Sequence, residues 1–313
     1  MAVKILVIGA GSIGRRHAEN MGRLGCTVDL VGWRGTNLSD LAARIAQNDA
    51  VVIATATQIR HVLIALAATA QKPFYVEKPL CFTTQDLAAI KTAAAPVADR
   101  SMLGLMMRYH PAFRALADTD LSDTFRFDLT IGHDVTQWRQ NWTFSSSYAA
   151  KPMGGGVLLD LCHELDMAVT LFPDLTLVAA DSVGHAAYPN VDMATRVTLT
   201  SPGISGSVSM DYLAPRLIRE AQIFGHTQTH RFDFASQTYT RTTMADIATL
   251  PYPLERNAMF MDAARDFLAL VQGHSPSDNP NIPRLDRSYD SATLVAQAWE
   301  ARTFNGTTLK EIA

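Results

Sequence analysis

Glycine spacing near the start of the chain could hold a phosphate group. Gly9, Gly11 and Gly14 form a G-x-G-x-x-G pattern directly after the apolar run 3–8. Between a buried strand and a helix, the first glycine permits a tight turn, the second lets the backbone approach a pyrophosphate, and the third lets helix and strand pack closely. The N–H groups that open the following helix then bind the pyrophosphate. The pattern predicts a dinucleotide site.

Glu77-Lys78-Pro79 follows the short apolar run 74–76. If that run is a parallel strand, Lys78 lies at its carboxyl end, where such sheets bind ligands. A lysine desolvated beside a cofactor has a lowered pKa and can donate or accept a proton. The alternative is an ordinary surface lysine.

A second candidate for proton transfer follows the glycines 154–156. Asp160, His163 and Glu164 are spaced three and four apart in a predicted helix over 157–171, so they would share one face. A histidine beside a carboxylate can shuttle a proton near neutral pH. A solvated helix face or a metal site are the alternatives, and no further His or Cys cluster completes a metal-ligand set. Cys162 reads as a packed thiol.

Tyr109 and His110 belong to an aromatic and basic stretch, 107–111, where the pattern of elements changes. Such groups at a domain junction suit a cleft for a small molecule, and interdomain packing is an equally good interpretation.

The elements that must position these residues change type along the chain. Apolar runs and helical segments alternate up to about residue 110, which predicts a parallel sheet with right-handed crossovers. The predicted helix 39–47 has Ser39 as its N-cap, and 101–107 is predicted to be a strand. Short alternating strands separated by Gly, Pro, Asn or Ser follow, which predicts a mostly antiparallel sheet. We therefore predict a dinucleotide-binding domain over 1–118 and an α+β domain over 119–313, whose last helix packs back on the first domain.

Composition narrows the class of protein. The chain has 313 residues, 48% of them hydrophobic, and a formal net charge of −3, which supports a sizeable core and gives nucleic acid no basic surface. Three isolated cysteines indicate a reduced protein, and no run reaches the length of a membrane span. We expect a cytoplasmic protein without nucleic-acid or membrane partners.

Five motifs occur in one order and together resemble the Gfo/Idh/MocA family of NAD(P)-dependent oxidoreductases, in a branch acting on sugars or their derivatives. They are Gly-Ala-Gly-Ser-Ile-Gly-Arg-Arg-His at 9–17, Ala-Thr-Ala-Thr at 54–57 with His61, Glu-Lys-Pro-Leu at 77–80, Arg-Tyr-His-Pro at 108–111, and the glycine run leading to Asp160, His163 and Asp166. The resemblance implies an α/β fold: an N-terminal Rossmann domain followed by an α/β domain with an open, mainly antiparallel sheet.

The same resemblance assigns roles. Lys78 and His163 are the implied catalytic pair, with Asp160 as a further acid. The implied cofactor-binding residues are Gly9, Gly11, Ser12, Ile13, Gly14, Arg34, Thr36, Asn37, Thr55, Ala56, Thr57, His61, Glu77 and Lys78. The implied substrate-binding residues are Lys78, Tyr109, His110, Trp138, Tyr148, Asp160 and His163. We expect Lys78 and His163 to bracket the reacting oxygen, with Asp160 or Glu164 orienting the imidazole.

Three departures from the family pattern have consequences. Asp160 lies three residues before His163, where many members have four, and Ala56 replaces the usual proline. Ala50 lies only 16 positions after Arg34, and this spacing omits a helix and a strand. The parallel sheet is therefore predicted to be one strand short.

Cofactor choice and assembly complete the expectations. Arg34 lies where NAD-preferring folds carry an acid, so NADP is favoured, with NAD as the alternative. We expect the second sheet to carry more apolar residues than one helix can cover, and to form a homodimer or homotetramer through its open face. The expected function is hydride transfer between a nicotinamide and a sugar-like carbinol or carbonyl. Glycoside cleavage with tightly held NAD and a non-catalytic sensory role are the alternatives.

Overall fold

The structure is a computed structural model that describes residues 2–138 and 143–312. The chain forms two compact units, Met1–His110 with Glu255–Thr293, and Pro111–Leu254 with Leu294–Ala313. This division differs from the predicted one, because unit 2 begins at Pro111 and the segment Glu255–Thr293 belongs to unit 1.

Unit 1 begins with alternating strands and helices. They are β1 (Lys4–Ile8), α1 (Ser12–Arg23), β2 (Thr27–Val31), α2 (Leu38–Gln47), β3 (Ala50–Ile53), α3 (Arg60–Thr69), β4 (Phe74–Val76), α4 (Thr84–Ala94) and β5 (Met102–Leu103). All strand pairs are parallel, in the order β2-β1-β3-β4-β5. β3 is entirely buried, as the continuous apolar run predicts. With five strands the sheet is one short of a six-stranded Rossmann sheet, as predicted.

Two local predictions in unit 1 are wrong. The N-cap of α2 is Asn37, whose side chain accepts a hydrogen bond from the Ser39 N–H at 2.9 Å, and Ser39 lies inside the helix. The strand predicted over 101–107 is only Met102–Leu103, and a 3₁₀ turn, Met106–Tyr109, follows. The strand ends at Leu103, and Gly104 follows it at a position where a Cβ atom would come within 3.2 Å of Glu77.

Unit 2 contains the second sheet. Its elements are α5 (Pro111–Ala117), β6 (Thr124–Gly132), α6 (Val157–Asp160), α7 (His163–Leu171), β7 (Thr176–His185), β8 (Ala194–Ser201), β9 (Ile204–Asp211), β10 (Ile218–Gly225), β11 (Gln228–Asp233), β12 (Thr238–Thr243) and β13 (Ile247–Pro251). The chain then returns to unit 1 with α8 (Arg256–Val271). α9 (Tyr289–Ala301) is divided between the units, and β14 (Thr303–Thr308) adds to the second sheet.

The second sheet has nine strands in the order β13-β12-β11-β10-β6-β9-β8-β7-β14. Only β6–β9 and β7–β14 pair in parallel, so the mainly antiparallel sheet is confirmed.

The two faces of the central strands differ in polarity. Apolar positions are buried on the side that packs against α6 and α7, among them Phe127, Val197 and Val208. The opposite face carries polar side chains: Arg126, Asp128, Thr130, Arg196, Thr198, Ser209, Glu220 and Gln222. The predicted surplus of uncovered apolar residues is not seen at these central positions, which are buried, whereas Phe125 on β6 and Val178 on β7 are 41% and 59% exposed.

No helix within residues 2–138 and 143–312 is both long and apolar enough to cross a membrane.

Candidate active site

Four strand ends place most of the predicted cofactor residues in one row. The strands of unit 1 are parallel, so their carboxyl ends share one edge in the order β2, β1, β3, β4. This edge carries Arg34 to Asn37 after β2, Gly9 to Gly14 after β1, Thr55 to Thr57 after β3, and Glu77 with Lys78 after β4. The chain leaves β1 with β2 on one side and β3 on the other, and a switch of this kind opens the ligand crevice in open α/β sheets.

The glycine turn has the shape that a pyrophosphate requires. Gly9 has φ +120°, and a Cβ atom there would overlap the Ala54 carbonyl oxygen. A Cβ atom on Gly14 would overlap the Gly9 carbonyl oxygen. Gly11 is different, because no atom lies within 4 Å of the position its Cβ would take. It is also the N-cap of α1 and offers no side chain to the amides of Ser12 and Ile13. The turn is tightly packed at Gly9 and Gly14 and open at Gly11, and it therefore fits a dinucleotide phosphate.

Glu77 connects the lysine segment to α1. Its Oε1 atom lies 2.7 Å from Nε2 of His17, and both side chains are buried. Burial alone would raise the pKa of Glu77, but the His17 hydrogen bond and neighbouring positive charges outweigh burial, so the pKa lies below its ordinary value. Lys78 supplies one of those charges and is partly exposed. His17 belongs to the family motif, but its hydrogen bond to Glu77 joins residues 60 positions apart, and the sequence carries no signal for that contact.

Arg60, which sequence reasoning did not select, lies against the Glu-Lys-Pro segment. It is buried, and its guanidinium donates hydrogen bonds to the carbonyl oxygens of Thr55, Glu77 and Pro79. His61, the neighbouring residue that the motif did select, is exposed on α3. At this point in the chain, Arg60 is therefore the residue that binds the segment around Lys78.

The loop after β2 leaves Arg34 exposed. The hydroxyl of Thr36 donates to the Gly32 carbonyl at 2.7 Å, and the Asn37 side chain caps α2. Asp29 lies within β2 and is paired with Arg44 at 3.0 Å. Thr36 and Asn37, two of the three predicted cofactor-binding residues in this loop, therefore also hold the loop itself.

Asp160 is the centre of a polar cluster in unit 2. The Tyr148 hydroxyl donates to Oδ1 of Asp160 at 2.6 Å, and the Tyr212 hydroxyl lies 3.0 Å from Oδ2. Tyr212 is fully buried and also donates to the Gly156 carbonyl at 3.0 Å. Burial and the charge of Asp160 raise the pKa of Tyr212 well above its ordinary value, so its hydroxyl remains a donor. Tyr212 follows β9, far from Asp160 in sequence, and was not predicted.

The predicted helix over 157–171 is interrupted. α6 ends at Asp160, Leu161 leaves helical geometry with φ −106° and ψ 29°, and α7 begins at His163. Asp160 and His163 therefore do not share a face of one continuous helix, and the spacing argument for them is wrong. Asp192 holds the first segment, since its carbonyl and carboxylate accept from the N–H groups of Val157 and Leu158 at 3.0 and 2.8 Å.

Two predicted substrate aromatics come together around Asp160, and two predicted residues in unit 1 are buried. The Trp138 ring meets the Tyr212 ring edge-on at 5.4 Å, while Tyr148 is 51% exposed and bonded to Asp160. Tyr109 is buried and its hydroxyl donates to Asp266 at 2.9 Å, so the structure supports packing rather than a substrate wall for it. His110 is also buried.

Glu164 has a partner of its own. It is buried on α7, and its Oε1 atom lies 2.6 Å from Nε of Arg219 on β10. His163, the first residue of α7, is buried as well. The role of Glu164 in orienting His163 stays a prediction.

The chain is similar in sequence to a family of protein domains and to a known dehydrogenase. Residues 112–231 match the model of the GFO/IDH/MocA C-terminal domain, a range that includes Asp160 and His163. Inositol 2-dehydrogenase of Rhizobium meliloti (strain 1021) is 24% identical over 325 residues, which cover 87% of this chain and 94% of that protein.

Solved structures show the same fold at low identity. A levoglucosan dehydrogenase, in complex with NADH and levoglucosan, is 19% identical with a TM-score of 0.76 and covers 96% of this chain and 97% of its own. A mutant of a 3-ketoreductase from Actinomadura kijaniata, in complex with TDP-benzene and NADP, is 17% identical with a TM-score of 0.76 and covers 98% of this chain and 99% of its own.

Proposed function

As a chain that carries the C-terminal domain of the Gfo/Idh/MocA family, this protein is, we propose, an NAD(P)-dependent oxidoreductase that acts on a CH–OH group of a sugar, polyol or sugar derivative. The match over residues 112–231 confirms the resemblance to the family. The observation that carries the function is the open glycine turn at Gly11 on the same sheet edge as Lys78. The relatives named above, which act on inositol and levoglucosan, support the substrate class.

The cofactor would be held by the chain around the ends of β1, β2 and β3. The amides of Ser12 and Ile13 at the start of α1 would bind its pyrophosphate, with Gly11 giving the backbone room. When bound, a nicotinamide supplies hydride acceptance or donation at its C4 atom.

Side chains of the protein must accept or donate the proton of the substrate hydroxyl. Oxidation of a carbinol removes a hydride from carbon and a proton from oxygen, so a proton acceptor must reach that oxygen. We assign the proton to the His163 imidazole and assign Lys78 to bind and polarise the substrate oxygen; the reverse assignment is the alternative. Asp160 would accept a hydrogen bond from a further substrate hydroxyl or orient His163. Trp138 and Tyr148 suit the C–H face of a sugar ring.

For the adenosine ribose we propose a preference for NADP, with NAD as the alternative. Arg34 is exposed after β2, and a guanidinium can bind a 2′-phosphate with two hydrogen bonds. Asp29 is not at the strand end and is already paired with Arg44, which removes the nearest carboxylate from competition.

The polar face of the second sheet is the proposed surface for a homodimer, which could double into a homotetramer. It carries charges of both signs, such as Arg126 and Asp128, 3.4 Å apart, and a two-fold axis can oppose one sign to the other. A monomer mass by light scattering at micromolar concentration would contradict this assembly. No disulfide joins Cys26, Cys81 and Cys162, which suits a cytoplasmic location.

The test of the function is net accumulation of reduced cofactor, followed by absorbance, when the protein is mixed with NADP or NAD and a panel of polyols and sugars. Continuous accumulation with one member supports a dehydrogenase. Sugar cleavage without accumulation would instead support catalysis by transient oxidation with retained NAD.

A further inference from the structure

The buried guanidinium of Arg60 donates hydrogen bonds to main-chain carbonyl oxygens that follow two neighbouring strands. Its Nη2 atom donates to the carbonyl of Thr55, after β3, at 2.7 Å, and Nε reaches the same oxygen at 3.2 Å. Its Nη1 atom donates to the carbonyl of Glu77, after β4, at 2.7 Å and also to the carbonyl of Pro79. The residues that accept from Nη1 are the two chain neighbours of Lys78.

This arrangement uses properties that only arginine has. The guanidinium is planar, permanently charged and carries five N–H donors in a fixed fork, so one side chain can satisfy three carbonyl groups in fixed directions. A lysine ammonium is a compact point charge on a flexible stem and cannot reproduce that geometry. A buried charge is costly unless it is compensated. The nearby Glu77 carboxylate supplies the compensation, since the Arg60 charge helps to lower the pKa of Glu77.

The segment around Lys78 is therefore held from two directions. His17 on α1 binds the Glu77 side chain, and Arg60 on α3 binds the backbone on either side of Lys78. Lys78 itself has a long, rotatable side chain, so its reach depends on where its backbone is fixed. A misplacement of about 1 Å at a catalytic group can reduce turnover by about a hundredfold.

We infer that Arg60 is a positioning residue for Lys78, which sets the direction of the lysine side chain by fixing the carbonyl groups of Glu77 and Pro79. The inference rests on the proposed function for its effect on turnover. Its structural part, the control of Lys78 by Arg60, concerns unit 1 alone and can be measured without a substrate.

The first measurement is made on the free protein. Reductive methylation with ¹³C-formaldehyde labels the six lysines, and Lys78→Arg assigns the Lys78 resonance by its disappearance. We expect the chemical shift of the Lys78 methyl resonance to change in Arg60→Ala and to return towards the wild-type value when millimolar guanidinium is added. Lys91, whose ammonium lies 5.0 Å from the centre of the Tyr289 ring, is the control resonance and should stay in place. An unchanged Lys78 resonance in Arg60→Ala would overturn the inference.

The second measurement is turnover. We expect kcat of Arg60→Ala to fall by about a hundredfold while cofactor affinity changes little, and guanidinium to restore part of kcat in Arg60→Ala but none in Lys78→Ala. Arg60→Lys keeps the charge and serves if the alanine variant does not fold; it should keep cofactor binding and lose most of kcat. If a folded Arg60 variant has normal kcat while Lys78→Ala is inactive, the inference about Arg60 is overturned and the proposed role of Lys78 stands. Normal kcat in Lys78→Ala would overturn the proposed catalytic role of Lys78, and the methyl resonances would still test Arg60.

Discussion

The Tyr148 hydroxyl donates a hydrogen bond of 2.6 Å to Oδ1 of Asp160, although Tyr148 is half exposed to solvent. Tyr212, fully buried, binds the other oxygen of the same carboxylate. Asp160 thus accepts from one buried donor, Tyr212, and from one donor on a solvent-exposed residue, Tyr148. The carboxylate is held in one orientation, and Tyr148 is the member of the cluster that a ligand can reach.

Loss of the Tyr148 hydroxyl should reduce activity, whereas loss of the Tyr212 hydroxyl should reduce stability. Tyr148→Phe should lower kcat/KM by roughly tenfold, the worth of one hydrogen bond to a charged group, with little loss of stability. Tyr212→Phe should cost about 1–3 kcal/mol of unfolding free energy, because the Gly156 carbonyl and Asp160 lose a donor inside the protein. Urea unfolding and steady-state kinetics measure both, with Tyr188→Phe as the control. Equal stability of Tyr212→Phe and wild type would refute the structural role of that hydroxyl.

The glycine turn predicts a contrast between two alanine substitutions. Gly11→Ala should leave stability unchanged and weaken cofactor binding by tenfold or more, since its methyl group enters open space that the pyrophosphate needs. Gly14→Ala should destabilise the free protein by about 1–3 kcal/mol or more, since its methyl group meets the Gly9 carbonyl.

Gly22→Ala, in α1 with open space around it, is the matched control and should stabilise by roughly 0.5–1 kcal/mol. Thermal unfolding and cofactor titration by protein fluorescence give both quantities. Tight cofactor binding by Gly11→Ala would exclude this turn as the phosphate site.

Cofactor preference should depend on Arg34. Arg34→Ala should reduce the ratio of kcat/KM for NADP to that for NAD by tenfold or more, because a charge-assisted hydrogen bond contributes about 1.5–3 kcal/mol. Arg44→Ala breaks the neighbouring pair with Asp29 and should leave the ratio unchanged. If the ratio is unaffected in Arg34→Ala, the arginine does not read the 2′-phosphate.

Stability at low pH should report the His17–Glu77 contact. The folded protein holds the pKa of Glu77 below its ordinary value, through the His17 hydrogen bond and nearby positive charges that outweigh burial. This contribution is complete above the unfolded pKa of about 4.3 and is lost as pH falls through the folded pKa. Glu77→Gln lacks it, so the difference in unfolding free energy between wild type and Glu77→Gln should shrink below about pH 4. Parallel pH curves for the two proteins would contradict the shift, and Glu19→Gln, exposed beside Arg23, is the control.

The parallel sheet was predictable and parts of the second sheet were not. Runs such as Ala50–Ile53 are apolar throughout, and only a buried strand accommodates them. β12 and β14 are made of threonine with scattered polar residues and lack apolar alternation, so their pairing partners alone make them strands.

The candidate site shows the same limit. Gly9, Gly14 and Lys78 could be read from local pattern, because glycine turns and strand ends have local rules. The break at Leu161 has no glycine or proline to signal it, and Asp192 and Tyr212, distant in sequence, hold the segment before it. Arg60 was missed in favour of His61 because burial of one and exposure of the other depend on how α3 packs.

The most direct test of the central claim is turnover of Lys78→Ala and His163→Ala with a substrate that wild type oxidises, measured together with cofactor titration. Removal of a positioned acid or base reduces turnover by roughly a hundredfold or more. We expect that loss in both variants, with cofactor affinity nearly unchanged in His163→Ala. Near-normal turnover in both would place the chemistry elsewhere in the chain and contradict the account.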